Sequence, residues 1–239
     1  ILSSPSWSET LTIDDLVERN NLYYKKFTIV PFTGEISGIE SGKFKEGKKD
    51  GQWVNYYSSG HPKEIVNFKK GTMEGLVEEY YESGWLKSKG NIKYGKTFGL
   101  WKYYWENGQL KEIANYKDGK ENRFSEKYSL SGKLTWKGNY KDGKKEGFWQ
   151  YYYFNAQLNR KGNYKDGKED GLWENYYKDG QLMSKAHYKD GKNNGFFERY
   201  HENAQLNMKG NYKDGKKEGF WEYFNRDGFL YKTETWKNG

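Results

Sequence analysis

The segment "KGNYKDGKKEGFW" occupies residues 137–149, and the same letters return at residues 209–221. The two copies lie 72 residues apart, which is three times 24. Self-similarity at a fixed spacing is the signature of stacked supersecondary units. The offset therefore predicts a 24-residue period through the chain.

Several columns of residues recur at this period from residue 44 onward. The first column is aromatic in all but one copy: Phe44, Phe68, Ile92, Tyr116, Tyr140, Tyr164, Tyr188, Tyr212 and Trp236. Gly follows three places later in every copy, from Gly47 to Gly239. A further column holds Trp53, Trp101, Trp149, Trp173, Phe197 and Trp221, with Val77 and Ser125 departing. The next holds Tyr56, Tyr80, Tyr104, Tyr128, Tyr152, Tyr176, Tyr200 and Phe224. No insertion interrupts the spacing, so the units have constant length.

Each unit predicts two short strands and two turns. The first strand, "LxxKGNY", alternates its Leu, Gly and ring onto one face. "KDGKKEG" supplies turn chemistry because Asp-Gly adopts positive φ at low cost. The second strand, "FWxYYY", ends at "ENGQ" or a close variant. Hairpins of constant length predict an all-β fold, an elongated single-layer antiparallel ribbon of β-hairpin repeats.

The ends of the chain predict two further segments. Residues 1–22 form an N-terminal segment with a short capping helix in "TIDDLVERN", where Thr12 precedes Asp15 in a capping-box pattern. Residues 23–43 resemble a degenerate first hairpin. Residues 44–239 hold eight repeats and the start of a ninth. Because an open ribbon must protect its edges, we expect the N-terminal segment to cover the first strand.

Composition limits the chemistry. The chain has no cysteine, which excludes disulfides, zinc–thiolate sites and cysteine nucleophiles. It has no apolar run long enough for a membrane-spanning helix. The chain begins with Ile, so we expect that a leader was removed and that the protein is exported to the periplasm, cell surface or extracellular space. The cytoplasm stays open as an alternative.

The net charge of +8 suggests an acidic partner. Lys and Glu alternate along the chain without a basic block, which argues against nucleic acid. One basic row recurs in the turns and predicts a rail for anionic lipid or glycan: Lys117, Lys141, Lys165, Lys189 and Lys213. The alternative is a set of solvated turns.

A second candidate surface is aromatic. Period-two alternation places two columns on one strand face: Trp53, Trp101, Trp149, Trp173 and Trp221 with Tyr57, Tyr81, Trp105, Tyr153 and Tyr177. A one-layer sheet cannot bury both faces, so at least one presents rings to solvent or to a partner. Alternatively, the rings pack only on each other and replace a core.

Catalytic constellations are not apparent. His61, His187 and His201 do not pair at metal-ligand spacing. The recurrent Asp residues are explained by Asp-Gly turns, and neither a nucleophile elbow nor a P-loop occurs. We therefore expect no metal, no cofactor and no enzymatic activity.

The unit resembles the MORN repeat, whose G-x-W-x-x-G-K-x-x-G pattern is matched, with Tyr for Trp, at Gly138, Tyr140, Gly143, Lys144 and Gly147. The added "YYxNGQL" half and the N-terminal lead-in are similar to the bacterial MORN variant labelled YwqK-family antitoxin. The departures Ile92, Arg123 and Ser125 predict a local irregularity between residues 92 and 128. The resemblance implies a twisted or curved antiparallel sheet used for lipid or protein binding or as a scaffold.

These observations lead to three functional hypotheses. The preferred one is a non-enzymatic repeat scaffold that binds protein, glycan or lipid through an aromatic sheet face. The second is a structural subunit that self-associates end to end through its edge strands. The third, an antitoxin-like partner of a toxin, rests on the family label alone.

Overall fold

The computed structural model describes residues 10–237. The predicted features at residues 1–9 and at Gly239 lie outside this range. The chain divides into two compact units, which meet in sequence between Gln109 and Leu110. Both units are built from antiparallel strands, and each is described by itself. The predicted fold class, an all-β series of hairpin repeats, is confirmed in both.

Between residues 10 and 109 the first unit has ten strands. They are β1 Leu16–Arg19, β2 Leu22–Lys25, β3 Gly34–Ile36, β4 Glu40–Lys45, β5 Lys48–Tyr56, β6 Pro62–Lys69, β7 Thr72–Met73, β8 Gly75–Tyr80, β9 Leu86–Lys93 and β10 Lys96–Tyr104. Strands β1 and β2 form a separate two-stranded sheet. From β3 to β10 neighbours in sequence pair antiparallel, except that β8 pairs with β6 beside the short β7.

The second unit is a regular meander. Its strands are β11 Leu110–Lys117, β12 Lys120–Tyr128, β13 Leu134–Lys141, β14 Lys144–Tyr152, β15 Leu158–Lys165, β16 Lys168–Tyr176, β17 Leu182–Lys189, β18 Lys192–Tyr200, β19 Leu206–Lys213, β20 Lys216–Phe224 and β21 Leu230–Trp236. Every strand pairs antiparallel with the next one in sequence. Strand bounds repeat every 24 residues, as the sequence period predicts.

The hairpin turn is shorter than the sequence suggests. Asp142 and Gly143 have φ of 52° and 82°, the two positive values of a type I′ turn. The following "KKEG" belongs to strand β14, and the register shifts beside Gly147, whose φ is 69°. This geometry is a β-bulge. Arg123 takes the bulge position with φ 75°, so the irregularity predicted around it is wrong for the backbone.

The core forms where a small residue makes room for a ring. In seven of eight repeats Gly or Ala stands eleven positions before the tryptophan column, and Val66 is the exception. A Cβ added to Gly138 would lie 2.2 Å from Cδ2 of Trp149, so only glycine fits beneath this indole. The combinations are Gly42/Trp53, Val66/Val77 and Gly90/Trp101 in the first unit, and Ala114/Ser125, Gly138/Trp149, Gly162/Trp173, Ala186/Phe197 and Gly210/Trp221 in the second. Larger partners therefore accompany smaller side chains, as close packing requires.

The predicted N-terminal helix is largely wrong. Only Ile13–Asp15 is helical, as a single 3₁₀ turn in which the Asp15 carboxylate accepts bonds from the backbone N–H and the hydroxyl of Thr12. Strand β1 follows at once and pairs with β2 across Asn20 and Asn21, whose φ values of 53° and 60° again form a type I′ turn. The Asn-Asn turn therefore starts a hairpin where the capping pattern predicted that a helix would continue.

The N-terminal segment nevertheless covers the end of the ring stack in the first unit. Tyr23 and Phe32 place their rings 4.9 and 5.7 Å from Phe44, which is 2% exposed. The backbone N–H of Tyr23 donates to the carbonyl of Gly47 at 2.8 Å. These contacts give Phe44 the neighbours that a preceding repeat would supply.

Candidate binding surface

The predicted tryptophan column lies on one sheet face, called here the tryptophan face. Trp53, Trp149, Trp173 and Trp221 are fully buried and Trp101 is 5% exposed. Each indole N–H donates to a backbone carbonyl on the preceding strand at 3.0–3.2 Å. The five side chains are thus satisfied within the sheet, which favours the self-packing alternative.

Cations cover several of these rings. The Lys145 ammonium lies 4.5 Å from the Trp149 ring centroid, and the Arg160 guanidinium lies 4.0 Å from that of Trp173. Burial, together with the nearby Arg160 charge, lowers the pKa of Lys145. Lys145 also donates to the hydroxyl of Tyr151 at 2.7 Å, and burial raises the pKa of that hydroxyl. These cation–π contacts close the tryptophan face over its own rings.

The predicted tyrosines beside the tryptophans connect successive repeats. The hydroxyls of Tyr57, Tyr81, Tyr153 and Tyr177 each donate to the backbone carbonyl 23 residues ahead, at 2.7–2.9 Å. The fifth member, Trp105, lies in the turn that follows β10. These bonds give the tyrosines a structural role. A binding role for the ten predicted aromatic residues stays a prediction.

The predicted lysine row lies in the Asp-Gly turns of the second unit. Lys117, Lys141, Lys165, Lys189 and Lys213 are exposed, and each stands directly opposite a second lysine: Lys120, Lys144, Lys168, Lys192 and Lys216. Within residues 10–237 none of these ten forms an ion pair. An Asp in each turn offsets part of their charge. The role of the row in binding stays a prediction.

The opposite sheet face carries a row that sequence reasoning missed. We call it the apolar row: Phe124, Phe148, Leu172, Phe196 and Phe220 in the second unit. These side chains are 39–55% exposed. In the first unit the corresponding positions hold Gln52, Leu76 and Leu100. The sequence does contain a signal for this row, because its residues directly precede the tryptophan column. Successive residues of a strand point to opposite faces, so these residues lie on the face opposite the tryptophans.

Amides alternate with the apolar row in the second unit. Phe124, Phe148 and Phe196 pair across strands with Asn139, Asn163 and Asn211. At the centre of the row, Leu172 pairs with His187, whose ring lies 4.6 Å from that of Phe196. The row therefore presents a large side chain and a polar side chain on successive strands.

A band of opposite charges flanks the apolar row toward the Asn-Gly-type turns. Lys161 pairs with Glu174 at 2.8 Å, and Lys209 with Glu222 at 2.9 Å. Tyr200 donates to Glu198 on its own strand at 2.6 Å. Burial and this carboxylate raise the pKa of the Tyr200 hydroxyl to about 12. Part of the band is thus paired within itself.

The first unit also holds a cleft of about 340 Å³ with three carboxylates. Lys49 pairs with Glu40 at 2.8 Å, and the Asn55 amide donates to Glu64 at 2.9 Å. The Ser88 hydroxyl donates to Glu79 at 3.0 Å. These carboxylates are therefore engaged with their own neighbours.

The histidines lie apart from one another. His61 contacts the carbonyl of Glu82, His201 contacts that of Phe224, and His187 stands in the apolar row. Within the described range, 10–237, no group of three acidic, His or Cys side chains has the arrangement of a metal site. Across the same residues no helix has the length and apolarity to cross a membrane.

Comparison with known families agrees with the repeat geometry. Four segments match the family model described as MORN repeat variant, at residues 49–70, 73–94, 99–118 and 169–190. In these repeats the chain is similar to the MORN repeat variant. The antitoxin-like subtype is not part of this match and stays a prediction. No curated protein matches the chain.

Proposed function

We propose that the protein is a non-enzymatic repeat scaffold that binds a partner through the apolar row of its second unit. One observation carries this proposal: five large apolar side chains on successive hairpins stay 39–55% exposed, although the tryptophans of the other face are covered. Exposed large apolar side chains that recur along one face favour an interaction site. The proposed surface is thus the row rather than the tryptophan set.

Repetition supports a binding role. Each hairpin adds one equivalent side chain to the row, so a long partner contacts several of them at once. Such linked contacts raise the overall affinity well above that of any single contact. By contrast, the Tyr153 hydroxyl and the Trp173 indole N–H donate to backbone carbonyls of the protein itself.

The test compares wild type with the triple variant Phe148→Ser, Phe196→Ser, Phe220→Ser. The matched control is Phe154→Ser, because Phe154 is 76% exposed but lies outside the row. Three probes are titrated: phosphatidylcholine vesicles, the same vesicles with phosphatidylglycerol, and soluble glycans. Light scattering measures self-association in parallel.

We expect wild type and the control variant to bind at least one probe or to self-associate, and the triple variant to lose that interaction while it stays folded by circular dichroism. Equal behaviour of wild type and triple variant in every assay would contradict the proposal. Export to the periplasm, cell surface or extracellular space remains a prediction, and the residues encoded upstream of Ile1 test it.

A further inference from the structure

We propose that the apolar row binds a single extended chain of a neutral β-1,4-linked glycan. This inference rests on the binding function proposed above and adds the chemical class of the ligand. It follows from the spacing of the rings, the amides between them, the charge of the flanking band and the area of the row.

The spacing fits a polymer with a two-fold repeat. Neighbouring strands lie about 4.8 Å apart, so row members on alternate strands recur at roughly 9.6 Å. In an extended β-1,4-linked glycan each sugar is turned over relative to the one before. The same sugar face therefore returns once per disaccharide, a distance close to two strand spacings. Successive row members then contact the C–H faces of every second sugar along the chain, one sugar for each row member.

The polar positions fit the sugars between. Asn139, Asn163 and Asn211 are exposed, and their side chains have no hydrogen-bond partner within residues 10–237. An amide side chain offers both donors and an acceptor, and a sugar hydroxyl offers both as well. Three of the five row members thus have a free amide opposite them, while Leu172 stands opposite His187 and Phe220 opposite Thr235. These polar side chains can contact the sugars between the stacked ones.

The charges on the flank toward the Asn-Gly-type turns are balanced, which suits an uncharged ligand there. The flanking band of the second unit holds Lys137, Lys161, Lys185 and Lys209 against Glu126, Glu174, Glu198 and Glu222, which balance. Two of the resulting pairs close at 2.8 and 2.9 Å. The flank toward the Asn-Gly-type turns thus has no excess of either sign. On the opposite flank the lysine row is offset in part by the Asp of each turn and by Glu146, Asp170 and Glu218.

The area of the row argues against a second copy of the chain. Five side chains of the size of Phe, each about 40–55% exposed, present roughly 400–500 Å². A stable protein interface needs about 800 Å² from each partner. A strip this narrow and bordered by polar residues suits a linear chain instead. Sheets twist, so the row is not straight. A single flexible glycan chain can follow such a row, whereas the flat surface of a crystalline polysaccharide cannot.

The experiment titrates the whole protein with cello-oligosaccharides and chito-oligosaccharides of increasing length, by calorimetry. We expect affinity to rise with each added disaccharide and to be insensitive to salt. The triple variant Phe148→Ser, Phe196→Ser, Phe220→Ser should bind about threefold to tenfold more weakly for each lost ring. Phe154→Ser should match wild type, and Asn163→Ala should weaken binding while every ring stays in place.

Three outcomes would overturn the inference. They are equal binding of α-linked malto-oligosaccharides, affinity independent of chain length, or undiminished glycan binding by the triple variant. If the triple variant loses vesicle binding or self-association while wild type ignores the glycans, the ligand class is wrong and the binding function stands. If wild type interacts with no probe and does not self-associate, both fail.

Discussion

Hairpins β15–β16 and β17–β18 share one backbone but fill their cores differently. In the first, Gly162 lies beneath Trp173, which is fully buried. In the second, Ala186 stands opposite Phe197, which is partly exposed. A Cβ on Gly162 would approach Trp173 to 2.2 Å. These two hairpins therefore keep a similar summed volume at the two positions, although both residues differ.

The same hairpins also differ where each joins the next repeat. The hydroxyl of Tyr177 donates to the Tyr200 carbonyl at 2.7 Å, whereas Nε2 of His201 contacts the Phe224 carbonyl at 3.0 Å. The turn after β16 holds Gly180 and the turn after β18 holds Ala204 at the same left-handed position. In hairpin β17–β18 a histidine therefore makes the contact to the next repeat, and an alanine takes the left-handed turn position that suits glycine.

The largest expected effect on stability comes from adding volume beside a buried ring in one of the two hairpins. Gly162→Ala should lower the free energy of unfolding by about 3 kcal/mol, because the added methyl group collides with a fully buried ring. Adding Trp173→Phe recreates the combination found at Ala186 and Phe197 and should recover much of the loss. Urea denaturation of the single and double variants measures this coupling.

The opposite exchange is the control for volume matching. Ala186→Gly with Phe197→Trp installs the β15–β16 combination in hairpin β17–β18 and should leave stability equal or higher. Should Gly162→Ala prove neutral, or should Trp173→Phe fail to compensate for it, then ring size and the small residue are not coupled and the comparison fails.

Loss of the bond between repeats should have the next largest effect. Tyr177→Phe removes the donor and leaves the Tyr200 carbonyl without its side-chain partner, which should cost about 1 kcal/mol. His201→Tyr supplies the hydroxyl that other repeats use and should be neutral or stabilising. Thermal unfolding of both variants provides the measurement. A Tyr177→Phe protein as stable as wild type would show that the hydroxyl bonds contribute nothing.

The turns should respond in opposite directions. Gly180 has φ 91° and Ala204 has φ 64°, a region that L residues enter at a cost of about 1 kcal/mol. Ala204→Gly should therefore raise stability by about 0.5–1 kcal/mol, and Gly180→Ala should lower it by a similar amount. Ala156, with φ 69°, offers an independent replicate. Changes of the same sign at all three positions would rule out backbone strain as the cause.

The sequence predicts the repeat more reliably than its ends. Fixed spacing, period-two alternation and Asp-Gly turns suffice for the strand order, because each signal is local and recurs in unit after unit. The N-terminal helix fails because Thr12 and Asp15 give a local capping signal while the Asn20–Asn21 turn closes a hairpin directly behind it. The capping pattern occurs once in the chain, so no second copy is available to test the interpretation.

The surfaces were harder to predict because burial depends on residues distant in sequence. Whether Trp149 is open or covered depends on Gly138 beneath it and Lys145 above it, and neither contact shows in the tryptophan column alone. The apolar row was available as a column, but its exposure becomes evident only when the opposite face is seen to hold the core. Sequence alone left both faces as candidates.

The smallest expected effect concerns the cations that lie above several rings of the tryptophan face. Asn193 occupies the place that Lys145 and Lys217 hold elsewhere in the second unit, and its side-chain oxygen is buried without a hydrogen-bond partner among the described residues. Asn193→Lys should place an ammonium near Phe197 and relieve that oxygen, raising stability by about 0.5 kcal/mol. Lys217→Asn should lower stability by at least as much, because its ammonium lies 4.5 Å from the larger Trp221 ring. Urea midpoints unchanged by both substitutions would mean that ring packing alone stabilises the tryptophan face, and the cores of hairpins β15–β16 and β17–β18 would then differ only in how their volume is divided.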